Sequence, residues 1–505
     1  MAIGARHVRL RRVGQGRVDP RRRLLDSAVP RAVHRSVDPR VGERRFAVIA
    51  GTEADEAAGE QGHEGEGKRA HKETLHRRDE PDHGDPLEVR QVVLVRPAVL
   101  SLPDALQSLY ARIPLGVRLG LDAMRDACAR AGHPERAFEA VHIAGTNGKG
   151  SVSAMVEAMA RAGGKRTGLF TSPHLTRFAE RICVDGKPLD DDVLRALLDD
   201  ALVRGAGLSF FETATLAAFL AFRDARVDVA VIEVGLGGRL DATNVLEHPR
   251  AAAITRIAFD HMDRLGGTLV DIAREKAAIA KPGLDLALGP MSRDVREAID
   301  TVARRAGATT SSADEDTEAT RFVSTAQIGL AGAHQHANAR VAYVLGRRLD
   351  LDLDARAKGI AGVRWPGRLE TVTTEAGRFL LDAAHNPDGI ESLAAHLRSL
   401  TLPRDRVAMV FGVLADKAWM EMLDCVAMTV ERRFYVSPRG RAAVTPETLA
   451  ARHPGQVATT VDEAIARARD AVRPGGLVVV AGSILLVGEA RATLLKLRRD
   501  LPVAM

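Results

Sequence analysis

Seven consecutive residues, Gly145-Thr146-Asn147-Gly148-Lys149-Gly150-Ser151, have the composition of a phosphate-binding loop. Glycines let successive backbone N–H groups turn toward one anion, and a following helix adds partial positive charge at its N-terminus. A lysine neutralises the β- and γ-phosphates. Lys149 fits that last role, with Thr146, Asn147 and Gly148 as the cradle. The run departs from the common G-x-x-x-x-G-K-[ST] pattern, because Ile143 stands at the first glycine position and Gly150 separates Lys149 from Ser151. A short Gly-rich turn can also arise without a ligand, so the flanks decide. Ala140 to Ala144 reads as an apolar strand, and a helical pattern runs from Val152 to Ala162 before Gly163-Gly164. Strand, loop and helix in that order are what phosphate binding requires.

The elements around the loop repeat the same alternation. Leu102-Pro103-Asp104-Ala105-Leu106 opens a helix with proline early and an acid in the first turn, and Leu119 to Ala131 reads as a second helix. Arg166 to Phe170 is a strand and Phe211 to Arg223 a helix; Val227 to Val234 and Ala251 to Thr255 are apolar runs suited to strands buried on both faces. The last third alternates again. Strands are predicted at Phe379–Asp382, Val407–Phe411, Arg433–Val436 and Leu477–Ala481, with helices at Gly389–Leu400, Trp419–Thr429 and Val461–Val472. The expected fold class is α/β: a mostly parallel sheet domain bearing the phosphate loop, then a smaller Rossmann-like domain. The predicted division is 1–98 as an extension, 99–362 as the ATP-binding domain and 363–505 as the C-terminal domain.

Composition bounds the function classes. The 505 residues exceed the ~150-residue domain prior several-fold. The formal charge of +6 invites a nucleic-acid reading, but residues 101–505 carry 52 basic against 50 acidic side chains. The basicity concentrates in the first 50 residues, with 13 basic and 4 acidic. Residues 1–98 hold 18 Arg to 2 Lys and lack apolar periodicity until Val92, so the segment is expected to be disordered. It reads as an upstream stretch from a misassigned start or an inert tail more than as a working arm. Cys128, Cys183 and Cys425 stand far apart, which excludes a disulfide framework or a recognisable zinc site and suits a reducing, cytoplasmic setting. The longest Gly-and-apolar run, Gly475 to Gly488, is shorter than the ~20 residues a membrane helix needs.

The variant loop G-T-N-G-K-G-S resembles that of the ATP-dependent amide ligases of the Mur ligase superfamily. Downstream blocks narrow the resemblance to the folylpolyglutamate and dihydrofolate synthases, commonly bifunctional in bacteria. These blocks are Thr171-Ser172-Pro173-His174-Leu175 with Glu180-Arg181, Glu233 to Asn244, Asp260-His261, Arg274 to Ala277, His334-Gln335 with Asn338-Ala339, Pro366 to Glu370, and Asp382 to Pro387. They run in the family's order across about residues 102–505.

The resemblance implies a role for each matching position. ATP would be held by Gly145 to Ser151, including Gly150, and by Asn338, Arg368 and Asp382. Magnesium, two ions in the family, would be bound by Ser172, Glu233 and His261. Lys149, Lys276 and His385 take the catalytic positions, Lys276 matching a lysine that the family carbamylates. The pterin substrate would meet Leu119-Gly120-Leu121, Ser209-Phe210-Phe211 and Leu240-Asp241-Ala242. Arg118 stands where the family carries an acid before Leu-Gly-Leu, and Phe210 or Phe211 could equally be core.

Making an amide from a carboxylate and an amine in water needs activation, here phosphorylation of the carboxylate by ATP. Three anionic reactants must then be held together, so positioning and electrostatics dominate. The implied reaction joins L-glutamate to a pteroate or folate carboxylate, with dihydropteroate, folates, glutamate and ATP as small-molecule partners, no nucleic acid and no membrane. Nothing in the chain calls for more than a monomer. Two alternatives stay open: another Mur-superfamily amino-acid ligase, and a nucleic-acid-binding protein acting through the Arg-rich arm.

Overall fold

A computed structural model describes residues 100–113 and 120–500. The 1–98 extension and the candidate Leu119 lie outside the described residues. Eight strands form the first sheet: β1 (Glu139–Ala144), β2 (Thr167–Phe170), β3 (Ile182–Val184), β4 (Lys187–Pro188), β5 (Val229–Glu233), β6 (Ala251–Ile254), β7 (Asp285–Leu288) and β8 (Thr309–Ser312). Their order across the sheet is β4-β3-β2-β5-β1-β6-β7-β8. All neighbours are parallel except the antiparallel edge formed by β3 and β4.

The second sheet has six strands: β9 (Glu370–Thr374), β10 (Gly377–Leu381), β11 (Val407–Phe411), β12 (Arg432–Tyr435), β13 (Gln456–Val457) and β14 (Leu477–Ala481). They lie in the order β13-β12-β11-β14-β10-β9, with only β9 antiparallel. The expected larger and smaller α/β domains are therefore present.

Side chains alternate along the central strands and feed cores on opposite faces. Val229 and Val231 of β5 pack with Met155 and Met159 of the helix Lys149–Ala162. Ala230 and Ile232 instead join Phe219 and Phe222 of the helix Phe210–Asp224. Burial on both sheet faces is why these strands read as unbroken apolar runs.

Element boundaries differ from the sequence expectation in places, and one helix was not among the expected elements. The helix after the phosphate loop starts at Lys149 rather than Val152, with Gly148 as its N-cap, so the lysine belongs to its first turn. The apolar run from Gly475 to Gly488 splits into β14 and the helix Ile484–Leu495. Gly482 turns the chain at φ 107°, and the Ser483 side chain accepts from Leu485 N. Among the described residues, no helix is long and apolar enough to cross a membrane.

Candidate active site

The site gathers at the carboxyl ends of the parallel strands, where open α/β sheets place ligands. β1 runs into the phosphate loop, β5 ends on Glu233, β2 leads to Thr171-Ser172, and β10 leads to Asp382. Together these ends border one cleft of about 240 Å³ between the two sheet domains. The cleft is lined by Gly145 to Ser151, Ser172, Glu233, His261, Lys276, Asn338, Arg368, Asp382 and His385. Every residue considered above for nucleotide, metal or catalysis thus faces one space.

The loop is shaped by its neighbours. Gly145 has φ 144°, and a Cβ there would stand 1.9 Å from Thr255 Oγ1. Gly148 has φ 92°, and a Cβ would meet Asn338 Oδ1 at 2.4 Å. No residue with a side chain fits either position without displacing a partner. Thr146 N donates to Arg256 O at 2.8 Å, and Thr255 Oγ1 donates to Asn147 O at 2.8 Å, so the end of β6 braces the loop.

Charge in the cleft is held close to balance. The Lys149 ammonium donates to Thr146 O at 3.1 Å and stands 3.8 Å from Glu233 Oε1. Glu233 is 4% exposed and also accepts from Ser172 N at 3.3 Å. Burial raises its pKa, opposed chiefly by Lys149. Lys276 is buried, and desolvation with repulsion from Lys149 pulls its pKa down to about 7. Near the mouth, His261 takes a left-handed backbone (φ 51°) with Nε2 3.9 Å from Asp260 Oδ1.

The second domain closes on the loop through polar contacts. Asn147 and Asn386 exchange amide hydrogen bonds at 3.1 and 3.0 Å, and Asn147 Nδ2 donates to Asp388 at 2.7 Å. Arg256 pairs with Asp388 at 2.6 Å, and Lys417 with Asp260 at 2.7 Å. Burial works against ionisation of Asp260, but His385, Lys417 and His261 together hold its carboxyl well below the usual range. His385 itself has Nδ1 2.9 Å from Ala383 O and Nε2 3.6 Å from Asp260.

Residues 143–346 match the Mur ligase middle domain, and residues 367–484 match the Mur ligase glutamate ligase domain. A dihydrofolate synthase/folylpolyglutamate synthase of Bacillus subtilis is 34% identical over 375 residues, covering 67% of this chain and 86% of its own length. The chain belongs to the folylpolyglutamate and dihydrofolate synthases of the Mur ligase superfamily, ATP-dependent ligases of folate metabolism.

A probable bifunctional folylpolyglutamate synthase/dihydropteroate synthase of Haloferax volcanii is 35% identical over 428 residues, 77% of this chain. The chain spans only 50% of that longer relative. Among solved structures, a bifunctional folylpolyglutamate synthase/dihydrofolate synthase of Yersinia pestis, complexed with AMPPNP and Mn ion, superposes with a TM-score of 0.70. Its identity is 28%, and the match covers 79% of this chain and 98% of that one.

The pterin candidates among the described residues do not border this cleft. Ser209 caps its helix, Ser209 N and Oγ both donating to Glu212, and Phe210 stacks on Tyr110 with centroids 5.4 Å apart. Phe211 lies 5.8 Å from Phe170, and a Cβ on Gly235 would meet its ring at 2.3 Å. Leu121 and Ala242 are buried, Gly120 has φ 127°, and Leu240 is half-buried. Asp241 anchors its turn by accepting from Leu236 N and Thr243 N at 2.8 and 3.0 Å. Sequence reasoning gave no role to Arg256, Asp260, Gln335, Asp388 or Lys417. Gln335 and Asp260 lay inside quoted motifs; Lys417, on the turn after β11, carried no signal of its own.

Proposed function

We propose that this chain uses ATP to join L-glutamate to the carboxylate of a pteroate or folate, through an acyl phosphate. The observation that carries the reading is the convergence of the phosphate loop, Glu233, Lys276, Asn338 and Arg368 on one cleft. In this reading Lys149 and the amides of the loop's helical turn hold the terminal phosphates. Arg368 adds a planar, always-charged donor, and Asn338 fixes the loop face of the nucleotide.

A divalent ion fits the residues present. Glu233 is a buried carboxylate with one amide at 3.3 Å and a lysine at 3.8 Å, both longer than ordinary strong hydrogen bonds. Ser172, Glu233 and His261 would hold the ion, and phosphate oxygens and water would complete its shell. That division agrees with the lack of any cluster of three His, Cys, Asp or Glu side chains among the described residues. Bound there, magnesium would offset the charge on the transferred phosphoryl group, and we propose two such ions. Lys276, with its pKa near 7, has a substantial neutral fraction at physiological pH, the form that reacts with carbon dioxide to give a carbamate. Isotope-labelled bicarbonate should therefore label the native protein, and Lys276→Met should not be labelled.

We further propose a monomeric, cytoplasmic enzyme that does not engage nucleic acid. The near-neutral body, 52 basic to 50 acidic residues over 101–505, supports the last point. The central test measures ATP hydrolysis and product mass with dihydropteroate or tetrahydrofolate, each with glutamate. A glutamylated product from one or both is expected, and its identity assigns one activity or two. No product from any pteroate or folate acceptor would overturn the reading.

A further inference from the structure

Among the described residues, Arg181 is a buried cation with no carboxylate oxygen within 4.0 Å; Glu233 and Glu180 attract it only from farther away. It ends the short turn Phe178–Arg181, and its carbonyl accepts from Thr171 N at 3.0 Å. That contact sets it beside the carboxyl end of β2, next to Thr171-Ser172, and within electrostatic reach of Glu233. The side chain is 5% exposed. Its Nε donates to His174 Nδ1 at 2.8 Å, and its charge lies over the rings of Phe210 and Phe178 at 5.2 and 5.6 Å. Among the described residues, no carboxylate oxygen comes within 4.0 Å of the guanidinium, and neither terminal amino group donates a hydrogen bond.

The two carboxylates that attract Arg181 from a distance make their direct contacts with other groups. Glu180 accepts from the backbone amides of Leu175, Thr176 and Arg177 at 2.7, 3.1 and 3.0 Å. Glu233 faces Lys149 and Ser172. Arg112, in the same layer, shows what a structural guanidinium does: it donates to Leu202 O, Gly205 O and Thr213 Oγ1 at 3.0, 2.8 and 2.8 Å. Burying a charge is costly unless it is paired. Two aromatic faces compensate only part of that cost. The unused planar fork matches a carboxylate in bidentate geometry.

We propose that Arg181 receives the carboxylate of the ring-bearing acceptor, with Phe210 beside it, and so directs that group toward the Glu233 end of the cleft. This assignment rests on the ligase reading above and adds to it the residue that recognises the acceptor's anionic end. It also gives Phe210 a contact with substrate through Arg181, although Phe210 does not border the nucleotide cleft.

The test compares the full-length protein with Arg181→Met and Arg181→Lys, using dihydropteroate and an analogue lacking the benzoate carboxylate. Wild type should bind dihydropteroate much more tightly than the analogue. Arg181→Met should weaken dihydropteroate roughly 30-fold or more, lose that preference, and keep the KM for ATP within about twofold. Arg181→Lys should fall between the two, because it keeps the charge and loses the fork. Retained preference for the carboxylate in Arg181→Met would overturn the proposal. So would a joint loss of ATP binding, acceptor binding and thermal stability in both variants, the mark of a core cation. A wild type that binds dihydropteroate through Arg181 yet makes no glutamylated product would instead count against the ligase reading alone.

Discussion

Glu233 and Asp382 occupy equivalent places in the two domains: each follows or ends a buried parallel strand, and they are 4% and 7% exposed. Burial raises the pKa of both. Their partners differ. Asp382 accepts from Leu369 N and Ala384 N at 2.8 and 3.0 Å, so each oxygen is satisfied by backbone and the turn is locked. Glu233 has one long amide contact and a lysine at 3.8 Å. A carboxylate fixed by backbone amides holds architecture, whereas one held loosely by an exchangeable cation is ready to change partners. The difference between a scaffold acid and a working acid lies in what satisfies it, and burial alone does not separate them.

The largest effects should fall on the loosely held pair. Lys149→Ala is expected to cut turnover by about 10³-fold, with a folded protein of somewhat lower melting temperature, since buried Glu233 loses its chief counter-charge. Glu233→Gln should lower kcat by about 10²-fold or more and blunt the response to divalent ion. Its stability should change little, because the lost cost of burying the carboxylate is offset by leaving Lys149 without its partner. A sharp loss of stability with normal kcat would make Glu233 a scaffold acid and dissolve the contrast.

Asp382→Asn should behave in the opposite way. The new amide sets N–H donors against the amides of Leu369 or Ala384, leaving a buried donor unsatisfied at a cost of about 1–3 kcal/mol. Denaturant unfolding should report that loss. Turnover in the folded fraction should change less than in Glu233→Gln, with the KM for ATP rising as the Leu369–Asp382 contact beside Arg368 loosens.

Sequence patterns exposed the two domains because their central strands, such as Val407–Phe411 and Leu477–Ala481, are buried on both faces. Elements without that signature were not legible. β8, Thr309–Ser312, is a polar edge strand, and the two-residue β4 is too short to show a period. The helix Ile484–Leu495 hid because its apolar residues continue those of β14. Within the site, the contiguous loop was readable, and the downstream residues came through family resemblance. The bridges Asn147–Asp388 and Lys417–Asp260, 241 and 157 positions apart, depend on how the domains dock and leave no local trace. Arg181 stood in a quoted motif, but only the lack of a carboxylate oxygen within 4.0 Å of it, among the described residues, singles it out.

The smallest effect expected is a slope. Lys276 has its folded pKa lowered from 10.5 to about 7 by burial, so between those values the unfolded chain binds more protons than the native one. Stability must then rise with pH across that window, by at most about 1.4 kcal/mol per pH unit from this group. Below the lower value both states carry the proton, and the burial penalty is fully present. Chemical unfolding at successive pH values from neutral upward should show that rise in wild type and a flatter curve in Lys276→Met. Bicarbonate sharpens the measurement: a carbamate would replace the neutral amine with an anion facing Lys149, so the slope should change in wild type and stay fixed in the variant. Equal slopes in both proteins would place Lys276 with Asp382, among the groups the fold has already satisfied.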